Sequence, residues 1–307
     1  MKVTEPSYEE DGDVSDLWLI SVDGSTAPRR LTGLNEGEGD VSWRPDGGAI
    51  AFTTKRGSDE ESQVYLLDMS GPGEAVRMTN LSTGAAKPVW SPDGSKIAFE
   101  SKVYPGALDD EANKAEKEAR DELKYNASAY EIFPIRQWDH WRDDRQVHLF
   151  VQDAEPGAVA SDLLAGSTLV DLPGYNGVPT LSGNSLKAAW TPDGSALVFS
   201  ATTNLHQAAH ARVVYHLYLA SLEGGEPSQL TESMDWSCTD PVFTDKGDSL
   251  FCSYSPENAQ VYNLEGVGRF DWSDGKDLGE PTVVTRGFDR SVEDFALSEN
   301  GRTLYLT

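Results

Sequence analysis

Cysteine occurs only twice in these 307 residues, at positions 238 and 252. Two cysteines exclude a disulfide-dense scaffold and a four-cysteine zinc site. No run of about 18 apolar residues is present, so no segment is expected to span a bilayer. The first ten residues, Met1 to Glu10, lack the apolar stretch of a signal peptide. Basic residues are scarce: 25 Lys and Arg stand against 51 Asp and Glu, a net charge of −26. Phosphate backbones and anionic lipid repel such a chain, so neither nucleic acid nor a membrane is an expected partner. Aromatic side chains are plentiful by contrast. Eight Trp, 11 Tyr and 10 Phe supply enough large side chains for a real core.

An internal repeat decides the fold class. Trp43-Arg-Pro-Asp-Gly-Gly-Ala-Ile-Ala-Phe52 recurs as Trp90-Ser-Pro-Asp-Gly-Ser-Lys-Ile-Ala-Phe99 and as Trp190-Thr-Pro-Asp-Gly-Ser-Ala-Leu-Val-Phe199. Looser copies start at Phe243 and Phe295. Between the turn glycines 47, 94, 194, 247 and 301 the steps are 47, 100, 53 and 54 residues. Each copy reads as a hairpin. Proline presets φ at the first corner, Asp tolerates the second, and Gly takes the positive φ that closes the turn. A second hairpin follows each time, as in Asp16-Leu-Trp-Leu-Ile…Arg30-Leu-Thr32, Gln63-Val-Tyr-Leu-Leu…Arg77-Met-Thr79 and Tyr215-His-Leu-Tyr-Leu…Gln229-Leu-Thr231. His148…Leu164 and Val261…Thr285 are looser versions. Four antiparallel strands per fifty residues is the blade of a β-propeller, so the expected class is all-β.

The 100-residue step predicts one blade, the third, with an insertion over residues 104–141. Leu108 to Tyr125 is rich in helix formers, with Glu and Lys alternating, and predicts a short acidic helix. The chain opens with the outer half of a blade, residues 14–32, and closes with the inner half of another, residues 292–307. About five blade-equivalents are therefore expected. Either the halves close a five-bladed ring, or the chain is a piece of a larger propeller.

The Trp-Ser-Pro-Asp-Gly-x-x-Ile-Ala-Phe hairpin resembles the repeats of TolB-like proteins and of the prolyl oligopeptidase family of serine peptidases. Within the insertion, Glu131-Ile-Phe-Pro-Ile-Arg-Gln-Trp-Asp-His-Trp141 and the strand after it resemble the Arg-x-Trp-Asp-x-Trp segment of the acylaminoacyl-peptidase and dipeptidyl-peptidase V branch. This resemblance implies an amino-terminal propeller, commonly seven-bladed, that gates a carboxy-terminal α/β-hydrolase domain of the same polypeptide. On that reading residues 1–307 are an incomplete propeller domain of an exopeptidase releasing dipeptides or acylated amino acids, in the periplasm or outside the cell. No Gly-x-Ser-x-Gly elbow occurs in the chain, so the family's triad has no position to map onto and no catalytic residue is assigned. The alternative is a TolB-like propeller that binds a protein partner without chemistry.

A peptidase acting at an amino terminus must hold an ammonium group, which carboxylates and aromatic faces can do. The resemblance places such groups on segments projecting from the propeller. Asp139 is the expected ammonium ligand, Trp138 and Trp141 an apolar wall, and Arg136 a partner for Asp139 or for a substrate carbonyl. The competing reading packs both Trp against the blade and makes Arg136–Asp139 an ordinary ion pair. No metal or cofactor is expected: His206 and His210 stand four apart, but in a strand–strand loop and without the Glu of a zincin. Trp43, Trp90 and Trp190 are expected to pack between blades. Cys238 and Cys252 flank one hairpin turn, so a cross-strand bridge is geometrically open. Two separate thiols, one buried in the strand of Phe251, are the preferred reading.

Overall fold

The repeated turns close as their residues dictate. In the first four, the residue after the aromatic pairs across the hairpin, as Ser91 N–H does to the Lys96 carbonyl at 3.0 Å, and in the last Ser298 does; the turn glycine donates back each time, as Gly94 does to Ser91 at 2.9 Å. All five turn glycines take positive φ, from 64° at Gly301 to 72° at Gly47. The Asp of the turn is fixed too: Asp93 Oδ1 accepts from Ser91 Oγ at 2.7 Å and from Ser95 N at 3.0 Å. These hydroxyl and amide donors hold its carboxyl down to about 2, the Ser91 side chain contributing most.

The computed structural model describes all residues but 10, 34–36, 126, 128, 129, 131, 132, 138, 139, 143, 181, 182, 259, 261, 274, 276, 277 and 299. The chain divides into two compact units: Met1–Lys102 with Asp110–Lys114 and Phe150–Ser161, and Val103–Asp109 with Ala115–Leu149 and Asp162–Thr307. Among the described residues there are four four-stranded antiparallel sheets, each a propeller blade. The second blade runs Gly39–Trp43, Ala49–Thr54, Gln63–Asp68, Val76–Arg77, and the third Ala86–Trp90, Lys96–Val103, Gln146–Asp153, Ser161–Asp162. The fourth runs Ala189–Trp190, Ala196–Ala201, His216–Ser221, Ser228–Gln229, and the fifth Trp236–Phe243, Ser249–Pro256, Gly266–Asp271, Thr282–Val283. A final hairpin, Phe295–Leu297 with Leu304–Leu306, is the expected inner half-blade.

Two devices recur. In the second and fourth blades the second strand is buried along its whole length, which is why it reads as an unbroken small and apolar run ending at Phe52 or Phe199, both 0% exposed. A threonine after a sheet's last strand caps the strand before it. The Oγ1 atoms of Thr32, Thr79, Thr231 and Thr285 accept from the backbone N–H of Leu17, Val64, Leu217 and Val267, at 2.9–3.0 Å.

Successive turns also lie on one another. A Cβ on Gly94 would come within 3.1 Å of Arg44 Cγ, and one on Gly247 within 2.6 Å of Pro192 Cβ. Only a residue without a side chain allows that approach and the positive φ together. Trp90 and Trp190 are buried, and Trp90 Nε1 donates to the Ser42 carbonyl of the preceding blade's inner strand at 3.2 Å. Trp43 departs from expectation, at 47% exposed. The sheet before it has three strands and supplies neither an inner strand nor a Pro-Asp-Gly turn to cover the ring.

Other expectations need correction. The opening sheet holds not two strands but three, because Lys2–Ser7 pairs antiparallel with Gly12–Leu19. The third strand of the fifth blade starts at Gly266 rather than near Val261, itself outside the described residues. The helix spans Asp110–Asp121, inside the run expected for it. Cys238 and Cys252 are bonded to each other, with Cα atoms 5.6 Å apart, which overturns the preference for separate thiols. A register shift between Thr239 and Val242 sets Cys238 opposite Tyr254, one diagonal step from Cys252. Both cysteines are wholly buried among Trp236, Leu250 and Phe270.

Candidate functional site

Within a blade the Pro-Asp-Gly turn joins strands one and two, so the connection between strands two and three emerges at the opposite end. In the third blade that connection is the insertion. Its last part forms a small antiparallel hairpin, Arg136–Gln137 with His140–Trp141, in which Arg136 faces Trp141 across the ladder. Arg142 N–H donates to the Ile135 carbonyl at 3.1 Å and extends the pairing. Of the four residues expected to bind substrate, this hairpin brings Arg136 and Trp141 together. Trp138 and Asp139 lie outside the described residues.

Trp141 is 67% exposed, so it does not pack into the blade; its ring lies 6.1 Å from that of Tyr130. Leu108, Tyr125 and Phe133 are also more than half exposed. Several exposed large apolar side chains thus fall on the one insertion. The insertion is anchored at its base. Arg120, in the last turn of the helix, grips both carboxylate oxygens of Asp144 at 2.6 and 2.9 Å and takes Glu116 at 2.7 Å. Its guanidinium also stacks over Tyr104 at 4.4 Å. That fork holds the Asp144 carboxyl below the usual carboxylate range. Beyond Trp141, Arg142 lies within electrostatic reach of Tyr215, at the start of the fourth blade's third strand. Burial pushes the Tyr215 hydroxyl up to about 12, with Arg142 opposing and Glu257 reinforcing the rise.

His206 sits in a short 3₁₀ turn, Leu205–Gln207, and its Nε2 lies 3.2 Å from Gln207 Nε2. No group of three or more His, Cys, Asp or Glu side chains that could hold a metal ion gathers among the described residues. Nor, among them, is any helix long and apolar enough to cross a membrane. Sequence reasoning missed the capping threonines. The recurrent Leu-Thr, Met-Thr or Val-Thr ending of four of the second hairpins, at Thr32, Thr79, Thr231 and Thr285, was their signal.

No protein-family model and no curated protein sequence matches the chain. Solved structures do, at low identity. An acylaminoacyl peptidase from Pyrococcus horikoshii matches with a TM-score of 0.59 at 14% identity, over 99% of this chain and 40% of that one. The β-propeller domain of the Trilobed protease from Pyrococcus furiosus matches with a TM-score of 0.56 at 11% identity, over 99% and 73%. TolB from Acinetobacter baumannii matches with a TM-score of 0.50 at 16% identity, over 94% and 53%. The chain has the β-propeller fold of these proteins. It spans about two-fifths of the length of the acylaminoacyl peptidase and about half that of TolB.

Proposed function

We propose that this chain is the propeller domain of a serine exopeptidase, and that its insertion recognises the amino terminus of a short peptide. The observation that carries the reading is the anchored insertion with an exposed aromatic surface, Trp141 and Phe133 foremost, on a fold shared with peptidase propellers. Asp139 binds the substrate ammonium, Trp138 and Trp141 form the apolar wall, and Arg136 orients Asp139 or takes a substrate carbonyl. Hydrolysis belongs to a carboxy-terminal α/β-hydrolase domain of the same polypeptide, whose access the blades gate. A buried disulfide fits an oxidising compartment, the periplasm or the exterior.

The experiment is peptide binding by the 307-residue chain, followed by tryptophan fluorescence. A dipeptide amide with a free amino terminus should bind about tenfold or more tightly than its N-acetyl form, as for one charge-assisted contact. Asp139→Asn should erase that difference. Equal binding of both forms by the wild type refutes the reading. It would favour the TolB-like alternative, in which the exposed insertion meets a protein partner; the TolB match over 94% of the chain supports that second reading.

A further inference from the structure

In the fourth blade, the connection between strands two and three borders an open cavity of about 480 Å³. Its walls mix apolar and polar side chains: the alanines at 208, 209 and 211, Val214 and Met234 beside Asn204 and Gln207. Two of its lining residues carry basic side chains, Arg212 and His210, and none is acidic, in a chain where acids outnumber bases 51 to 25. The Arg212 side chain is exposed and has no ion pair or hydrogen bond among the described residues.

The rim is fixed before any ligand arrives. Asn204 staples the two ends of the loop: its Nδ2 donates to the Arg212 carbonyl at 2.7 Å, while its Oδ1 accepts from Val214 N–H at 3.1 Å and Thr202 Oγ1 at 2.8 Å. Ala211 N–H closes a turn onto the Gln207 carbonyl at 2.8 Å. Thr202 and Asn176 exchange both backbone hydrogen bonds, tying the loop to the segment before the blade. The backbone of Arg212 is thereby pinned while its guanidinium stays open to solvent. What remains to be ordered on binding is the Arg212 side chain itself.

We propose that this groove binds the carboxylate of a peptide's carboxy-terminal residue, with Arg212 as a bidentate fork and the alanines, Val214 and Met234 around a small aliphatic side chain. A guanidinium fork matches a planar carboxylate, and a ring N–H of His210 offers a second donor. Small aliphatic walls beside a single guanidinium suit a carboxylate on an aliphatic stem, whereas a phosphate would need more donors. The site uses none of residues 136–141, so it stands or falls separately from the amino-terminal reading.

The test is calorimetry on the 307-residue chain with Gly-Gly-Leu, with its carboxy-terminal amide, and with 4-methylpentanoate as a free acid of similar shape. The free-acid tripeptide should bind about tenfold or more tightly than the amide, as for loss of a charge-assisted pair. Arg212→Gln, a change on the surface, should erase that difference, and Arg212→Lys should restore part of it. Failure of the tripeptide to bind, equal binding of acid and amide, or an unchanged preference in Arg212→Gln each overturns the proposal. Binding of 4-methylpentanoate as tight as the tripeptide's overturns the assignment to a peptide.

Discussion

Breaking the Cys238–Cys252 bond while keeping both sulfur atoms in place isolates the worth of the cross-link. The two residues are 14 apart, and both side chains are wholly buried in the fifth blade's core. Reduction leaves two thiols of nearly the same volume, so no cavity opens and no packing is lost. What changes is the freedom of the unfolded chain. A closed loop of this length is worth about 3 kcal/mol on the chain-entropy account. For a folding unit of 150–250 residues that corresponds to roughly 6–12 °C in Tm. The assay compares urea or thermal unfolding of oxidised protein with protein reduced by a phosphine, alongside thiol titration under denaturing conditions. The unreduced chain should show no reactive thiol and the reduced chain two. Two reactive thiols without reductant would refute the bridge itself. A stability difference below about 0.5 kcal/mol would refute the claim that it restrains the unfolded chain.

Other outcomes follow from the repeated devices. Thr231→Val leaves the buried Leu217 N–H without its acceptor at 3.0 Å and should cost about 1–3 kcal/mol in urea unfolding, whereas Thr231→Ser should keep most of the stability; equal stabilities of Val and wild type would contradict the capping role. The turn carboxylates make the fold acid-sensitive. The Asp93 carboxyl is held below its ordinary 3.8, near 2, so its contribution is complete above about pH 4 and is lost as pH falls toward 2. Asp93→Asn should flatten stability against pH in that window, and an unchanged acid slope would remove Asp93 from the account.

Much of the fold was legible because the turns are local. Pro45, Asp46 and Gly47 each meet a backbone demand within four residues, and such demands repeat wherever the blade repeats. The helix was legible from its charged run. The strand Lys2–Ser7 was not, because its side chains are mostly exposed, it contains Pro6, and it shows no apolar alternation. Gly266 and Gly268 lie inside a strand, Gly266–Asp271. There a Cβ would meet Thr285 Oγ1 at 2.5 Å and Cys252 Sγ at 3.2 Å, an approach set by chain far away in sequence. The disulfide hid behind a bulge for the same kind of reason: the shift at Thr239 that brings the cysteines together is a property of the pairing. At the insertion, the aromatic and charged residues announced themselves. The Asp144 fork on Arg120 did not, since it joins positions 24 apart through the fold.

The central claim is that Asp139 reads the amino terminus of the substrate for a hydrolase domain. Its most direct measurement is kcat/KM of the longer protein expected to carry that domain, wild type against Asp139→Ala, on dipeptidyl substrates with free and with blocked amino termini. The account predicts a fall of about 2 kcal/mol or more, tens-fold, for the free-amine substrate and little change for the blocked one. Equal losses on both substrates, or lower thermal stability with unchanged kcat/KM, would contradict it.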